Sequence, residues 1–292
     1  MNTTLDCIPC IVRQAAEALE MTGCGGPRQE ELLRRLLRDI AAADWAVVPA
    51  LIAQRVQRTV RAETGDGDPY RKLKGRMNRT ALDLLPELAD AVGRQPDPRE
   101  AVLRLAIAGN LLDAGSKVRL APEDLSARLK GIWSLPLAGS AAELFRAAKE
   151  AREILYLADN AGEIVFDRLL VEALPAGKTT VAVRGAPIIN DATREDALQA
   201  GLPAVARVID NGSDAPGTVL EECSAEFRSQ FESADLIIAK GQGNYETLSD
   251  TRKRIFFLLT VKCLLIAADI GAPVGTLVVR GRNNGLPLKG AS

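Results

Sequence analysis

Three short segments of this chain carry ligand-type side chains directly after apolar runs. They are residues 158–163 (ADNAGE), 189–193 (INDAT) and 239–244 (AKGQGN). Runs such as residues 154–157 and 236–238 are typical of buried parallel strands, and proteins with such sheets bind their ligands at the carboxyl ends of the strands. We therefore expect the three segments to meet in one crevice at one edge of a sheet.

The first two segments offer ligands for a hard divalent cation. Asp159, Asn160 and Asp191 supply carboxylate and amide oxygens, and Asn190 lies beside them. Such oxygens suit Mg²⁺ or Mn²⁺, and soft ligands are absent from both segments. Each segment alone also fits a helix start, because the Asn160 to Glu163 spacing is that of a capping box. Two oxygen-bearing pairs at the ends of successive predicted strands favour the metal site.

The third segment is suited to bind phosphate. Lys240 provides a cation, and Gly241 and Gly243 allow backbone amides to approach an anion closely. A divalent ion beside helices that are predicted to begin near Glu163 and Thr193 would also attract a phosphate dianion. Glycine-rich turns also follow strands that bind nothing. Together with the metal ligands, however, this segment indicates phosphoryl chemistry.

Histidine is absent from all 292 residues. Catalytic systems that depend on imidazole, such as Ser-His-Asp triads and Cys-His pairs, are therefore excluded. The chain also lacks a GxxxxGK[ST] loop and a GxGxxG motif after the first predicted strand, which argues against P-loop nucleotide hydrolysis and ordinary dinucleotide binding. Acid–base chemistry is left to carboxylates, lysine, tyrosine or water activated by a metal.

The overall composition indicates a folded protein with a small-molecule partner. Hydrophobic residues make up 47% of the chain, charged residues 26%, and the formal net charge is -1. Basic residues are interspersed with acidic ones, so we expect no nucleic-acid partner. The apolar run 255–270 contains Lys262 and Asp269 and is too short to span a bilayer, and the first residues lack a signal-peptide pattern. We expect a cytoplasmic protein without a membrane partner, of unpredicted oligomeric state.

The chain contains five cysteines, an odd number that argues against a disulfide framework. Cys7 and Cys10 form a CxxC motif. This motif fits half of a zinc site, a redox pair, or two small buried residues at the start of a helix. The sequence leaves these three readings open.

Hydrophobic periodicity divides the chain near residue 151. Helical spacing predicts helices at residues 8–21, 29–42, 49–63, 69–85, 99–112 and 141–151. Short aliphatic runs then predict strands at residues 154–158, 179–183, 206–209, 236–239, 255–259 and 276–279. Further helices are predicted to begin near Glu163, Thr193, Ser224 and Lys262. We predict an α/β fold in which a helical N-terminal subdomain, residues 1–151, packs on a Rossmann-like, mostly parallel sheet, residues 152–292, as two subdomains or one compact unit.

Two polar residues of the helical part are candidates for substrate binding. Asn110 and Asp113 are three positions apart on one face of a predicted helix, inside an apolar stretch. They either lie at the surface or face the crevice from a helical roof.

The motifs DNAGE (159–163), NDAT (190–193) and KGQGN (240–244) resemble those of the domain of unknown function eighty-nine family, the metal-dependent damage-control phosphatases. The likeness also includes Cys7, Cys10, Arg13, Gln14, Asp68, Pro69, Tyr70, Lys74, Asn78, Gly109, Asn110, Asp113, Lys262 and Cys263. This set covers nearly the whole chain and is similar to the short prokaryotic branch of that family.

The resemblance implies a helical subdomain beside an α/β domain and a metal held by Asp159, Asn160 and Asp191. Lys240 matches the family's phosphate-binding lysine. We expect Asn190, beside the metal ligands, to bind substrate together with Gly241 and Gly243. The implied activity is hydrolysis of small phosphate esters, such as sugar phosphates or damaged phosphometabolites, with Mn²⁺, Co²⁺, Ni²⁺ or Mg²⁺.

The mechanism and two alternative functions stay open at this point. The nucleophile is either water activated by the metal or a carboxylate, Asp159 or Asp191, that forms an aspartyl-phosphate. A Rossmann-like layer with acidic strand ends also fits an S-adenosylmethionine-dependent methyltransferase, although the missing glycine loop counts against it. A non-catalytic protein that binds a phosphometabolite is the second alternative.

Overall fold

A computed structural model describes residues 1–109, 131–283 and 286–287 of the chain. It shows an α/β fold with one mostly parallel sheet, so the predicted fold class is confirmed. Asn110 and Asp113 lie outside the described residues, and their predicted place in the roof stays a prediction.

Strand β2 lies inside the sheet, between β5 and β3. Its strands are β1 (Leu137–Gly139), β2 (Ile154–Leu157), β3 (Thr179–Val183), β4 (Arg207–Asp210), β5 (Leu236–Lys240), β6 (Ile255–Thr260), β7 (Leu277–Asn283) and β8 (Leu286–Pro287). Their order is β1-β7-β6-β5-β2-β3-β4, with β8 beside β7. β7 runs antiparallel to β6 and β8, whereas the other pairs are parallel.

The described helices alternate with the strands after residue 137 and form a separate group before it. They are α1 (Cys7–Thr22), α2 (Gly26–Ala42), α3 (Pro49–Thr64), α4 (Arg71–Gly93), α5 (Pro98–Ala108), α6 (Ala141–Glu150), α7 (Glu163–Ala173), α8 (Arg194–Gln199), α9 (Ala225–Ser233), α10 (Gly241–Leu248) and α11 (Leu264–Ile270). None of the helices in the described part of the chain combines the length and the apolar character needed to cross a membrane.

Both faces of the sheet are covered by helices, which explains why its strands are aliphatic rather than alternating. In β5, Leu236 and Ile238 face a core shared with α4 to α8. Ile237 and Ala239 face the opposite core, shared with α9 to α11. Because side chains alternate along a strand, the next residue, Lys240, shares the face of Ile238.

Helices α1, α2 and α3 form a third core of their own. Its buried residues follow helical spacing, as with Ile11, Ala15 and Ala18 in α1, and they pack against Leu36 of α2 and Val56 of α3. Helices α5 and α6 instead pack on the sheet, and β1 joins the sheet before residue 152. The division at residue 151 therefore stays a prediction.

Several described elements differ from the sequence predictions, among them β1 and α10. Strand β1 was not predicted, because its three residues, Leu137–Gly139, are too few to show a pattern. No helix was predicted at Gly241–Leu248, which begins with two closely spaced glycines, but this segment forms helix α10. Glycine is a poor helix former, and it is tolerated here at the first turn of the helix.

Candidate metal and phosphate site

Backbone hydrogen bonds join the two oxygen-rich segments directly. The Ala161 N–H donates to the Asn190 carbonyl at 2.9 Å, and the Ala192 N–H donates to the Asp159 carbonyl at 2.8 Å. Strands β2 and β3 are parallel neighbours, so their carboxyl ends lie at one edge of the sheet. The structure thus brings together two segments that are about 30 residues apart in sequence.

Side chains from both segments line one cleft of about 340 Å³. Asp159, Asn160, Asn190 and Asp191 are all buried at its sheet side. The facing side is formed by the third core described above. From α1 and α3 it includes Cys7, Cys10, Ile11, Arg13, Gln14, Pro49, Ala50 and Ala53. The described part of the predicted helical roof is therefore α1 and α3.

Arg184 is a buried cation between the two carboxylates, and the sequence analysis missed it. Its Nε donates to Asp191 Oδ2 at 2.6 Å, and its Nη2 lies 3.6 Å from Asp159 Oδ1. Arg184 directly follows β3, so its position after a predicted strand was the available signal. It fixes Asp191 in an orientation that faces Asp159.

The carboxylate pair concentrates negative charge where water is excluded. Burial, the nearby Asp191 and then Glu163 raise the pKa of Asp159 well above its ordinary value, against the opposing effects of Arg184 and Lys262. A divalent cation would be stabilised by the same charge that disfavours the ionised aspartate. This observation supports a fit between the site and a metal.

The donor set is also of the right chemistry. Within the described ranges, no three histidine, cysteine, aspartate or glutamate side chains form a metal-binding group by themselves. The amide oxygen of Asn160 is available here beside the carboxylates of Asp159 and Asp191. Two carboxylates and an amide form a set of hard oxygen ligands.

Lys240 does not lie in this cleft. Its ammonium group donates to Glu163 Oε1 and Asp167 Oδ1, both at 2.5 Å, and to the Ala106 carbonyl at 2.9 Å. These bonds use all three N–H donors, and the side chain is fully buried. The reason is strand register, which points Lys240 under α5 and α7 together with Ile238. In this structure Lys240 therefore pairs with Glu163 beneath the cleft, and its expected contact with a phosphate stays a prediction.

Lys262 is the lysine that the structure places at the cleft. It is exposed, and its charge lowers the pKa of both Asp159 and Glu163 against the larger effect of burial. It follows β6, which is parallel to β5, at the same edge of the sheet. Lys262 follows a predicted strand, and this position could have indicated that it lies at the ligand site. The sequence motif instead assigns the phosphate-binding role to Lys240.

The two glycines predicted to bind substrate have different surroundings. Gly241 has a φ of +76°, and a Cβ there would lie 1.8 Å from Asp159 Oδ2, so only glycine leaves room for this carboxylate. Gly243 lines the cleft and packs against Gly217. Their backbone contacts with a substrate stay a prediction.

Residues outside the cleft hold its segments in place. Asn78 of α4 accepts a hydrogen bond from the Gly162 N–H at 2.6 Å, and its own amide donates to Asp196 at 2.9 Å. Ile189, directly before Asn190, has a φ of 43°, which is strained for a β-branched residue. Such strain is found where the surrounding structure fixes a functional segment.

The fold and this site can now be compared with known proteins. A family model for the damage-control phosphatase ARMT1-like domain matches residues 3–278. The chain belongs to the damage-control phosphatase family. The family resemblance predicted from the motifs is thus confirmed.

Individual members of the damage-control phosphatase family match over most of their length. A damage-control phosphatase of Pyrococcus horikoshii is 34% identical over 95% of this chain and 97% of the relative. A damage-control phosphatase of Archaeoglobus fulgidus is 39% identical over 80% of this chain and 82% of the relative. An uncharacterized protein of Methanocaldococcus jannaschii is 38% identical over 95% of this chain and 94% of the relative.

A solved structure shows the same architecture. The crystal structure of a DUF89 family protein from Pyrococcus horikoshii superposes with a TM-score of 0.86 and 33% sequence identity. The match covers 97% of this chain and 100% of the solved chain. The damage-control phosphatase fold therefore extends over nearly the whole chain.

Proposed function

We propose that this chain is a metal-dependent phosphatase that hydrolyses small phosphate esters, such as sugar phosphates or damaged phosphometabolites. Two relatives are named damage-control phosphatases, which supports a phosphatase role in metabolite repair. The observation that carries the proposal is the backbone pairing of the two segments, which sets Asp159, Asn160 and Asp191 at one wall of one cleft.

Asp159, Asn160 and Asp191 would hold a single divalent ion, Mn²⁺, Co²⁺, Ni²⁺ or Mg²⁺. When bound, such an ion polarises the phosphoryl group and makes nearby water a better nucleophile. The attacking group is either water or one of the two aspartates. Acid quenching during turnover of a radiolabelled phosphate ester separates these options, because a covalently labelled enzyme is trapped only if an aspartate attacks phosphorus and forms an aspartyl-phosphate.

Other residues of the chain would bind and orient the ester. Lys262 is placed to bind phosphoryl oxygens and to stabilise the charge that develops on them during transfer. The first turn of α10 borders the cleft at Gly243, so its backbone amides are available to the same oxygens. Arg184 keeps Asp191 directed toward Asp159. These roles need no titrating imidazole, in agreement with the absence of histidine.

The dimensions and lining of the cleft support a small polar substrate. A volume of about 340 Å³ is at the lower end of the range for ligand pockets. Arg13 and Gln14 of α1 border the cleft and are suited to bind hydroxyl groups or a second anionic group of the substrate. Helices α1 and α3 line the cleft together with the edge of the sheet.

A turnover assay tests the proposal. Protein stripped with chelator should hydrolyse p-nitrophenyl phosphate or a sugar phosphate only after a divalent ion is restored. Asp159→Ala and Asp191→Ala should each abolish this activity. Asp210→Ala is the matched control, because Asp210 ends β4 at the same edge of the sheet but pairs with Arg194 at the surface. Its activity should stay within about twofold of the parent.

The outcomes also separate the alternative functions. Full activity in the Asp159 or Asp191 variant would refute the site. Phosphate-ester binding without turnover would favour the non-catalytic metabolite-binding protein. A calorimetric signal for S-adenosylmethionine with no phosphatase activity would favour the methyltransferase. A panel of phosphate esters tested with each metal would then define the substrate class.

A further inference from the structure

A second charged cluster lies directly beneath the cleft and is sealed from it. Lys240 donates to Glu163 and to Asp167, and the Tyr156 hydroxyl donates to Asp167 Oδ1 at 2.7 Å. All four side chains are at most 1% exposed. Such a cluster stabilises a fold only if its charges are paired, so its presence beside a ligand site calls for a specific reason.

Glu163 is the member of this cluster that reaches the proposed metal ligands. The side-chain amide nitrogen of Asn160 donates to Glu163 Oε2 at 3.3 Å and to Asp159 Oδ2 at 2.8 Å. Both N–H bonds of that amide are therefore directed at carboxylate oxygens. The amide oxygen is the end that remains to face a cation.

An asparagine ligand needs this kind of control because the two ends of its amide are nearly equal in size. The oxygen end binds a cation, whereas the NH₂ end is a donor and repels it. Only the hydrogen-bond partners distinguish the two orientations. An ionised carboxylate accepts but does not donate, so Glu163 admits only one of them.

We propose that Glu163 is a positioning residue that fixes the orientation of the Asn160 amide, with Lys240 holding Glu163 in place as a counter-charge. This inference rests on the proposed metal site. Metal ligands commonly depend on such hydrogen-bonded partners for their orientation. Lys240 is thereby given a role one contact away from the ligand instead of a contact with substrate.

Close packing leaves Glu163 little freedom to adopt another conformation. A Cβ atom at Gly109 would lie 3.1 Å from the Glu163 Cα and 3.2 Å from its Cγ. The same atom would lie 3.0 Å from Phe166. The glycine lets α5 approach α7 closely, and the Glu163 side chain is confined between α5 and the sheet.

The replacement Glu163→Gln tests the proposal because it changes hydrogen bonding at nearly constant shape. Lys240 can only donate, so it would take the single oxygen of the new amide. The NH₂ end would then face the NH₂ end of Asn160, and the Asn160 amide would turn over. We expect the affinity for Mn²⁺, measured by calorimetry and by electron paramagnetic resonance on metal-free protein, to fall about 10- to 100-fold.

A double-mutant cycle separates positioning from a general effect of charge. In an Asn160→Ala background there is no amide to orient, so Glu163→Gln should then change the Mn²⁺ affinity by less than about threefold. Asp167→Asn is the matched control, because it also removes one carboxylate from Lys240 but has no hydrogen bond to Asn160. It too should change the affinity by less than about threefold.

Thermal unfolding of the metal-free variants checks that each one folds, and Glu163→Asp provides a second probe. The shorter side chain keeps the charge but cannot reach both Lys240 and Asn160. Glu163→Asp should therefore weaken Mn²⁺ binding when Asn160 is present but not in the Asn160→Ala background. An equal loss in both backgrounds, or an equal loss in Asp167→Asn, would overturn the positioning role while wild-type Mn²⁺ binding is retained. Absence of Mn²⁺ binding by the wild-type chain would overturn the proposed metal site as well.

Discussion

Two clusters with the same charges are linked through the side-chain amide of Asn160, and only one of them faces a cleft. The first contains Asp159, Asp191 and Arg184, and the second contains Glu163, Asp167 and Lys240. Each has two carboxylates and one cation, and all are buried.

The two clusters differ in whether a ligand in the cleft can reach them. Burial acts to raise the pKa of Glu163, and the charge of Lys240, which is bonded to its Oε1, opposes that rise. The pKa of Asp159 is raised by burial too, but its cluster borders the cleft and a metal could supply the missing positive charge. The composition of a charged cluster therefore does not reveal whether it binds a ligand; the face of the strand and the covering helices decide this.

Removing the cation of the sealed cluster should have the largest effect on stability. Lys240→Met leaves Glu163 and Asp167 buried without their counter-charge, at an expected cost of about 3–5 kcal/mol in the free energy of unfolding. Urea denaturation of the metal-free protein measures this cost. Lys149→Met, at an exposed position of α6, should cost less than about 0.5 kcal/mol. A similar small cost for Lys240→Met would remove the distinction between the two clusters.

The lysine at the cleft should show the opposite behaviour. Lys262→Ala removes an exposed side chain, so the free energy of unfolding should change by less than about 1 kcal/mol. Because Lys262 is placed to stabilise charge on the phosphoryl oxygens, kcat/KM should fall about 10²- to 10³-fold. Lys149→Ala serves as the control for the loss of a surface charge.

Product inhibition by inorganic phosphate distinguishes the two lysines further. At saturating Mn²⁺, Lys262→Ala should weaken this inhibition. Under the same conditions the metal site of Lys240→Met is filled, so its inhibition constant should stay within about threefold of the parent. The reverse result would restore the direct phosphate contact that the sequence motif suggested for Lys240.

A third charged cluster, around the partly buried Asp214, extends the comparison to the pH dependence of stability. Asp214 accepts hydrogen bonds from Gln54 at 2.8 Å and from Arg58 at 2.6 Å, and it pairs with Arg61. Burial acts to raise the pKa of Asp214, but the hydrogen bonds from Arg58 and Gln54 prevail and hold it below its ordinary value. These bonds connect α3 to the loop after β4 that also lines the cleft.

The sign of the pH effect follows from this lowered pKa. A carboxyl whose pKa is lowered in the folded state adds stability that is fully present above its unfolded pKa of about 3.9. This contribution is lost as the pH falls through the lower pKa of the folded state. Asp214→Asn should cost about 2 kcal/mol at pH 7, since Arg58 is half exposed and partly screened by solvent. The difference from the parent should shrink below about pH 4. A constant difference at all pH values would show that shape, not charge, is responsible.

The smallest expected effect concerns the cation of the open cluster. Arg184 repels a bound dication and competes with it for the oxygens of Asp191 and Asp159. Arg184→Gln should therefore destabilise the metal-free protein but bind Mn²⁺ more tightly, by roughly tenfold. Thermal unfolding with and without Mn²⁺ measures both effects. Weaker Mn²⁺ binding would show that Arg184 matters mainly for orienting Asp191.

Much of the fold could be predicted from the sequence because its strands are buried on both faces. The runs at 154–157 and 236–239 are apolar for this reason, and their ends mark the edge where ligands collect. The backbone pairing of Asn160 with Asp191 is possible because β2 and β3, the strands that precede these residues, are parallel neighbours. Strand β1 could not be predicted, since its partner β7 lies about 140 residues further along the chain.

The roles of the lysines could not be derived from the sequence. A lysine at the end of a strand is compatible with a ligand site or with a buried ion pair, and the choice depends on which face it shares with its neighbours. For Lys240 that face is covered by α5 and α7, whose approach is set by tertiary packing. Arg184 and Lys262 follow strands in the same way, yet the proximity of their charges to Asp159 depends on the positions of three strands relative to each other.

The central claim is that Asp159, Asn160 and Asp191 bind one divalent cation. It is tested most directly by diffraction from crystals grown with Mn²⁺, with data collected at the manganese absorption edge. We predict one anomalous peak within about 2.5 Å of an oxygen from each of these three side chains, at the floor of the cleft. A peak at another place, such as Cys7 and Cys10, with these three side chains uncoordinated, would contradict the account.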